Sequence, residues 1–231
     1  MSGMERERWV AHRGIPARHP ENGLEGLRAA LRAGARFVEF DIRLTRDWVP
    51  VLLHDADLAR TSGVRGRVAG MDWEEVRAAT DVVPSLAEAA ELLREYPLAT
   101  AFVEIKHGAL TRGVARAAGA IVAPLSPIRG QVVLISFHAG VLRHLRATGG
   151  WPIGWIFESY GFFNRQRAMR LAPEYLFADQ ARIPAGEALF AGPWQWALYE
   201  VSDPDLAWNW RQRGADLIET NDFTGMVTGI C

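Results

Sequence analysis

The chain has 231 residues, of which 49% are hydrophobic and 23% are charged, so it carries enough apolar side chains for a globular core and is neither disordered nor fibrous. Its formal charge of −1, with arginines scattered along the sequence, argues against nucleic acid as a partner. The only cysteine, Cys231, leaves no second thiol for an internal disulfide or a cysteine-ligated metal cluster.

Short apolar runs alternate with longer amphipathic patterns along the chain, which is typical of a parallel sheet with connecting helices. We predict strands at residues 9–12, 36–44, 101–106, 132–137, 152–157, 175–179, 195–201 and 216–220. We predict helices at residues 23–33, 85–95, 111–122, 138–148, 164–171, 185–190 and 204–213. This order indicates an α/β fold, a TIM-type (β/α)8 barrel that forms one domain over residues 1–231.

The segment between residues 41 and 84 is longer than a barrel crossover requires. Residues 49–53 have the pattern of an extra strand, and a loop follows through residues 57–70. We therefore predict a small strand-and-loop excursion after the second strand. Two helix starts have their own signals: Ser85 lies three residues before Glu88, the spacing of a capping box, and Asp203 precedes Pro204.

Charged side chains end several of the predicted strands, and strand ends of one polarity meet at one mouth of a barrel. Glu39 and Asp41 lie two residues apart and so face the same way, as do Glu104 and Lys106. If both pairs face the mouth, three carboxylates surround one point and suit a hard divalent cation, Mg²⁺ or Ca²⁺. The alternative, alternation toward solvent, conflicts with a central barrel strand, which has no solvent face.

Two histidines follow extended segments and are candidates for a general acid and a general base, because imidazole titrates near neutral pH. His12 ends the first predicted strand, and His54 follows the extra strand. His138 and His144 lie in helix patterns, where a packing or surface role is the ordinary interpretation.

Among the 26 lysine and arginine residues only Lys106 is a lysine. In a chain that otherwise uses arginine, the surviving lysine indicates a position where a compact ammonium group is required and a forked guanidinium does not serve. The alternative is chance survival.

Taken together, these segments resemble the glycerophosphodiester phosphodiesterase family over roughly the first 140 residues. The matching segments are Ala11-His12-Arg13-Gly14, Pro20-Glu21-Asn22, Glu39-Phe40-Asp41, Thr45-Arg46-Asp47, His54-Asp55, Leu58, Arg60-Thr61, Pro84-Ser85-Leu86, Glu104-Ile105-Lys106 and Ser136-Phe137. No single segment is specific, but their joint order is.

The resemblance implies a TIM-like barrel that hydrolyses glycerophosphodiesters to glycerol 3-phosphate and an alcohol. It implies that His12 and His54 are the paired catalytic histidines. It also implies that the positive charges of Arg13 and Lys106 neutralise the phosphate. It puts Glu21 near the metal or the glycerol hydroxyls. The ligands of one divalent cation fall on Glu39, Asp41 and Glu104.

The second half departs from the family pattern. Where relatives carry a WTVN-like strand, this chain has Tyr199-Glu200-Val201-Ser202, and where they carry an ITD-like end it has Ile218-Glu219-Thr220-Asn221. Glu200 adds a carboxylate for a metal, a hydroxyl or a cationic head group, or for an ion pair with an arginine. Substrate recognition is therefore less securely predicted than catalysis.

Phe162 and Phe163 belong to an aromatic loop that follows the fifth predicted strand, on the side of the mouth. Such side chains could contact an acyl chain or, transiently, a lipid surface. Two alternative functions follow: a phosphodiesterase of the lysophospholipase D type, and a barrel that binds phosphodiesters without turnover.

No apolar run approaches the roughly 18 residues of a membrane-spanning helix, and the charged start lacks the apolar stretch of a signal peptide. We therefore expect a cytoplasmic protein with a small-molecule substrate and leave its oligomeric state open.

Overall fold

Nine strands and nine α-helices form in residues 5–228, the part of the chain that the computed structural model describes. Cys231, and with it the prediction about disulfides, lies outside these residues. The strands are β1 Trp9–His12, β2 Phe37–Leu44, β3 Pro50–Leu52, β4 Thr100–Ile105, β5 Val132–Ser136, β6 Ile153–Phe157, β7 Tyr175–Asp179, β8 Gln195–Tyr199 and β9 Leu217–Thr220. The α-helices are α1 Leu24–Arg32, α2 Ala59–Ser62, α3 Trp73–Ala79, α4 Leu86–Arg94, α5 Val114–Leu125, α6 Ala139–Gly149, α7 Phe162–Leu171, α8 Pro204–Gln212 and α9 Phe223–Thr228.

Eight parallel strands close into a barrel. Their order is β1-β9-β8-β7-β6-β5-β4-β2, and β1 also pairs with β2, which completes the ring. The short strand β3 pairs antiparallel with β2 outside the ring. The predicted TIM-type barrel with an extra strand is thus confirmed. Within residues 5–228 no helix is both long enough and apolar enough to cross a membrane.

Apolar side chains fill the barrel below its mouth. The ring of Phe102 lies 4.9 Å from that of Tyr175, 5.0 Å from that of Phe177 and 5.6 Å from that of Phe37, measured between centroids. Glu104 follows Phe102 by two residues and so faces the same interior, one step nearer the mouth. This aromatic plug closes the floor beneath the charged side chains.

The excursion between β2 and β4 has its own small core. Leu53, Leu58, Val68 and Val76 pack together with relative exposures of 1% or less. This core is tied to the barrel through β3 and includes Leu53. It therefore holds His54, the residue after Leu53, at the mouth. Arg43 of β2 reinforces the position by donating to the backbone carbonyl of His54.

Most predicted elements agree with the structure to within a few residues, and both predicted helix starts are confirmed. Ser85 and Glu88 form a capping box, and the Asp203 side chain accepts from the first turn of α8. The helix predicted at 185–190 is wrong: after a turn, the backbone is irregular there and is held by Tyr160, whose hydroxyl donates to the carbonyl of Ala188 and accepts from the N–H of Phe190. Three short helices, α2, α3 and α9, were not predicted.

Gly14 lies where β1 turns toward α1, with a φ of +84°. A Cβ at this position would lie 2.7 Å from the backbone carbon of Gly26 and 2.8 Å from the nitrogen of Leu27. We expect Gly14→Ala to lower the free energy of unfolding by roughly 1–3 kcal/mol, because the conformation disfavours a side chain and the α1 backbone blocks it.

Chemical denaturation measures this change. Gly119→Ala in α5 is the matched control, since a Cβ there meets nothing within 4 Å, and it should leave stability unchanged or raise it by up to about 1 kcal/mol. Equal unfolding energies for Gly14→Ala and the native chain would contradict the expectation.

Candidate active site

A cavity of about 120 Å³ opens at the C-terminal ends of the barrel strands. Wider grooves of about 440 and 510 Å³ lie elsewhere, but the buried ionisable side chains converge on the barrel mouth, and such groups mark a functional site better than volume does. The lining residues are His12, Arg13, Glu39, His54, Glu104, Lys106, Ile135, Phe137, Ile156, Phe177, Tyr199, Glu200 and Glu219.

Three carboxylates meet in or beside this cavity. Glu39 and Asp41 project from β2 and Glu104 from β4, and the parallel register pairs Asp41 directly with Glu104. Their relative exposures are 2%, 0% and 8%, and one oxygen from each lies within 4.8 Å of the others. The strand alternation that the sequence suggested therefore brings all three acids to one point.

Two cations lie among these acids. The Nζ atom of Lys106 is 2.7 Å from Oδ1 of Asp41 and 2.7 Å from Oε1 of Glu104. The Nε atom of Arg13 is 3.0 Å from Oδ2 of Asp41, and its backbone N–H donates to Glu39 at 3.2 Å. Asp41 is thus held between the two cations.

Asn22 fixes Asp41 from a third side. Its amide nitrogen donates to Oδ2 of Asp41 at 2.9 Å, and its Oδ1 accepts from the backbone N–H of Asp41 at 2.9 Å. Asn22 is buried and has a φ of +59°, a conformation that asparagine tolerates better than most residues. Sequence reasoning gave Asn22 no role, although its place directly before Gly23 was a signal for such a turn.

The pKa values of the acids separate according to their partners. Burial alone would raise the pKa of Asp41, but Lys106 and Arg13 beside it lower that pKa well below its usual range. Burial and the neighbouring Asp41 raise the pKa of Glu104 to about 7 and that of Glu39 well above its usual value. Burial and Glu104 raise the pKa of Glu219 to about 8.

The residues fit a hard divalent cation. Oε1 of Glu39 and Oε1 of Glu219 are buried and have no hydrogen-bond partner within residues 5–228. Burying an uncompensated carboxylate costs several kcal/mol, which a bound cation would offset. Carboxylate oxygens are the ligands that Mg²⁺ and Ca²⁺ prefer. A second possible ligand group, His12 with Glu39 and Glu219, shares Glu39 with the first.

His12 is buried at the end of β1 and is held by a chain of hydrogen bonds. Its Nδ1 lies 2.7 Å from Oδ1 of Asn221, whose amide nitrogen donates to Oε2 of Glu200 at 2.6 Å. The other ring nitrogen, Nε2, lies 3.7 Å from Glu39. Burial, followed by the charge of Arg13, lowers the pKa of His12 to about 4, so the imidazole is neutral at pH 7.

His54 is less buried and is paired with a carboxylate. Its Nδ1 lies 2.8 Å from Oδ1 of Asp55, and Arg60 donates to the other oxygen of Asp55. Arg60 also donates twice to Glu21, at 2.9 and 2.5 Å, and Glu21 lies 3.5 Å from Arg13. Burial lowers the pKa of His54, although Asp41 opposes that shift.

The sequence of the chain matches a known protein family over more than half of its length. The model of the glycerophosphoryl diester phosphodiesterase family matches residues 12–147. The chain belongs to this family. The matched stretch contains the eight residues to which the resemblance gave a catalytic, phosphate-binding or metal-binding role, whereas Glu200 lies outside it.

Glycerophosphodiester phosphodiesterase 1 of Rattus norvegicus is 46% identical over 68 residues, which are 29% of this chain and 20% of the rat protein. Two solved structures show the same fold at 22% identity. A phosphodiesterase of Oleispira antarctica, in complex with the product sn-glycerol 3-phosphate, has a TM-score of 0.81 over 96% of both chains. The glycerophosphodiester phosphodiesterase of Thermotoga maritima has a TM-score of 0.78 over 97% of this chain and 99% of its own.

Of these eight residues, six line the cavity. Asp41 lies against it and pairs with the lining residues Lys106 and Arg13. Glu21 lies beside the cavity and pairs with Arg60 and Arg13. Sequence reasoning assigned no role to Asn221, and left that of Glu219 undefined. The ion pair with an arginine considered for Glu200 does not form in the described residues; Glu200 contacts Asn221 and His12 instead.

Metal binding to this family member can be measured without an assay of activity. We expect Mg²⁺ or Ca²⁺ to stabilise the EDTA-treated chain against thermal unfolding, by about 2.7 kcal/mol at a hundredfold excess over Kd. Glu39→Gln should abolish most of that gain because it removes a carboxylate from the cluster.

Glu187→Gln, an exposed site outside the cavity, is the control and should respond to the cations as the native chain does. An identical stabilisation of Glu39→Gln, or no stabilisation of the native chain by either cation, would refute a metal site at these acids.

Proposed function

We propose that the chain hydrolyses glycerophosphodiesters to glycerol 3-phosphate and an alcohol, using a divalent cation and two histidines. The observation that carries the proposal is the single cavity that holds His12, His54, Lys106 and the carboxylate cluster in a member of this family. The product bound to the Oleispira antarctica phosphodiesterase is the one that this reaction would release. Because the matched segment spans only part of the curated relatives, the activity of the whole chain is a proposal as well.

Glu39, Asp41 and Glu104 would hold the cation, for which Mg²⁺ and Ca²⁺ are the candidates. When bound, such a cation withdraws charge from the phosphoryl oxygens and makes the phosphorus a better electrophile. Lys106 and Arg13 add to this effect because both lie at the cluster with positive charge. Glu21, which lies 3.5 Å from Arg13, would support that residue near the metal or the glycerol hydroxyls.

We assign the general base to His12. A carboxylate has no hydrogen to donate, so Glu200 orients Asn221 with its amide nitrogen toward Glu200 and its oxygen toward His12. The Nδ1 atom of His12 must then carry the proton, which leaves Nε2 with a free lone pair. His12 would take the proton of the attacking glycerol hydroxyl or water as the new P–O bond forms.

His54 would be the general acid. Its contact with Asp55 favours a proton on Nδ1 and partly offsets the effect of burial, which lowers the pKa of His54. As the P–O bond to the alcohol breaks, Nε2 of His54 would give its proton to the leaving oxygen. The two histidines would exchange roles in the hydrolysis of a cyclic glycerol phosphate, should the glycerol hydroxyl attack first.

A second candidate activity is that of a lysophospholipase D type, in which the substrate carries an acyl chain. Phe162 and Phe163 favour it, because both are strongly exposed at the start of α7, beyond the strand end at the mouth. The chemistry at phosphorus would be the same. A barrel that only binds phosphodiesters is the remaining alternative.

The proposal predicts that the purified chain releases glycerol 3-phosphate from glycerophosphocholine or glycerophosphoethanolamine, that EDTA abolishes this turnover, and that Mg²⁺ or Ca²⁺ restores it. His12→Ala and His54→Ala should each lower kcat at least about 100-fold, because each removes a proton-transfer group.

His144→Ala is the matched control, since His144 lies partly exposed on α6, and it should keep native kcat. Equal kcat in all three variants would refute the acid and base assignment. No turnover with any cation would move the proposal to lysophospholipids, and failure there as well would leave a binding protein.

The assignment of the base predicts a tautomer that ¹⁵N NMR of labelled histidine can detect. His12 should carry its proton on Nδ1 in the native chain. Asn221→Ala removes the acceptor, so we expect a mixture of tautomers and a kcat lower by about 10- to 100-fold with little change in KM.

Asn209→Ala, on the exposed side of α8, should leave both the His12 signal and kcat as in the native chain. A native His12 protonated on Nε2 would exclude it as the base, whatever the activity of the variant.

A further inference from the structure

Three large apolar side chains are exposed on α7, and two of them lie at the start of the helix. Phe162, Phe163 and Met169 are 68%, 82% and 51% exposed, whereas Ala168 and Leu171 are buried on the opposite side of the helix. The two phenylalanine rings touch, with centroids 5.8 Å apart. Because the helix after a barrel strand begins on the mouth side, the phenylalanine pair lies near the cavity entrance. Such clustering of exposed apolar side chains marks an interaction site.

Arginines surround these apolar side chains. Arg165, Arg167 and Arg170 are exposed on α7, which contains no acidic residue. Two of them join Arg143 of α6 in a groove of about 250 Å³ that includes Trp155, and the Arg167 guanidinium lies 5.9 Å from the Trp155 ring centroid. Within residues 5–228 none of these four arginines forms a salt bridge. The groove is therefore a site of uncompensated positive charge.

We propose that this surface of α7 docks on an anionic phospholipid bilayer. The surface, here called the α7 face, consists of Phe162, Phe163, Arg165, Arg167, Met169 and Arg170. Aromatic and apolar side chains of an interfacial helix insert at the depth of the lipid head groups, and arginines bind the lipid phosphates. A nucleic acid would engage the arginines but leave the phenylalanines in water, whereas a bilayer accounts for both.

Local rather than total charge drives this docking. The chain as a whole has a formal charge of −1 and would not be attracted to an anionic surface as a uniform particle. The α7 face concentrates positive charge within one helix, and its attraction falls off within a Debye length, about 8 Å at physiological ionic strength. Docking along α7 would lay the flank of the barrel against the lipid, with Phe162 and Phe163 at the end of the helix nearest the mouth.

The inference rests on the proposed function only for the identity of the substrate, because binding to a bilayer requires no turnover. The experiment is flotation of the full chain with phosphatidylcholine vesicles and with vesicles that also contain phosphatidylglycerol. We expect binding to the mixed vesicles that salt weakens. Arg165→Gln/Arg167→Gln/Arg170→Gln should weaken it roughly 100-fold at low salt, and Phe162→Ser/Phe163→Ser at least about 10-fold.

The controls replace exposed apolar and arginine side chains in the same way at the other end of the barrel. Leu98→Ser replaces a residue that is 72% exposed just before β4, and Arg32→Gln/Arg36→Gln/Arg94→Gln neutralises three exposed arginines. Both controls should float with mixed vesicles as the native chain does. Circular dichroism melting verifies that every variant is folded.

Absence of flotation of the native chain with mixed vesicles, or equal losses in the control variants, would overturn the proposal. A concentration-dependent dimer in ultracentrifugation, abolished by Phe162→Ser/Phe163→Ser and accompanied by no vesicle binding, would assign the face to a second copy instead. Turnover of glycerophosphocholine, which is water-soluble, should survive the α7 substitutions. A native chain that floats with the vesicles but hydrolyses no diester would refute the proposed function and leave the docking surface standing.

Discussion

The structure of the mouth depends on how the barrel buries more carboxylates than it has cations to neutralise. Glu39, Asp41, Glu104 and Glu219 are withdrawn from water, and a buried charge is tolerated only when it is paired. Lys106 and Arg13 both lie against Asp41, which is why the pKa of Asp41 falls while burial and mutual repulsion raise those of its neighbours. The imbalance leaves room for further positive charge. A bound divalent cation would neutralise the excess negative charge, and so would protons on the acids whose pKa is raised.

The fold positions the side chains of the mouth in two different ways. Parallel strands fix Glu39, Asp41 and Glu104 relative to one another, because register and alternation leave their Cβ atoms little freedom. His54 comes from the excursion outside the barrel and owes its position to a separate small core and to Arg43. The cavity therefore combines a floor whose side chains are placed by the sheet with a wall that is placed by a separate core.

Patterns that repeat along the chain were predictable from the sequence. Alternating strands and helices indicated the barrel, and the spacing of Glu39 with Asp41 indicated that both face one way. The barrel also indicated which strand ends meet at the mouth, but individual side-chain hydrogen bonds between distant segments were not predictable. His12 and Asn221 are 209 positions apart, and no local pattern shows that they meet. The wrong prediction of a helix at 185–190 has the same origin. Tyr160, which lies 28 positions before Ala188, supplies the hydrogen bonds that hold that segment.

The departures in the second half become coherent when their contacts are considered together. The two segments that differ from the family pattern, Tyr199-Glu200-Val201-Ser202 and Ile218-Glu219-Thr220-Asn221, place Glu200 and Asn221 directly after the adjacent strands β8 and β9. The two side chains are hydrogen-bonded to each other, and both approach Nδ1 of His12, at 2.7 and 3.5 Å. Asn221 thus supplies the acceptor for Nδ1 of His12, and Glu200, from the neighbouring strand end, supplies a negative charge beside it. The two departures from the family pattern therefore meet at one point, the surroundings of the proposed base.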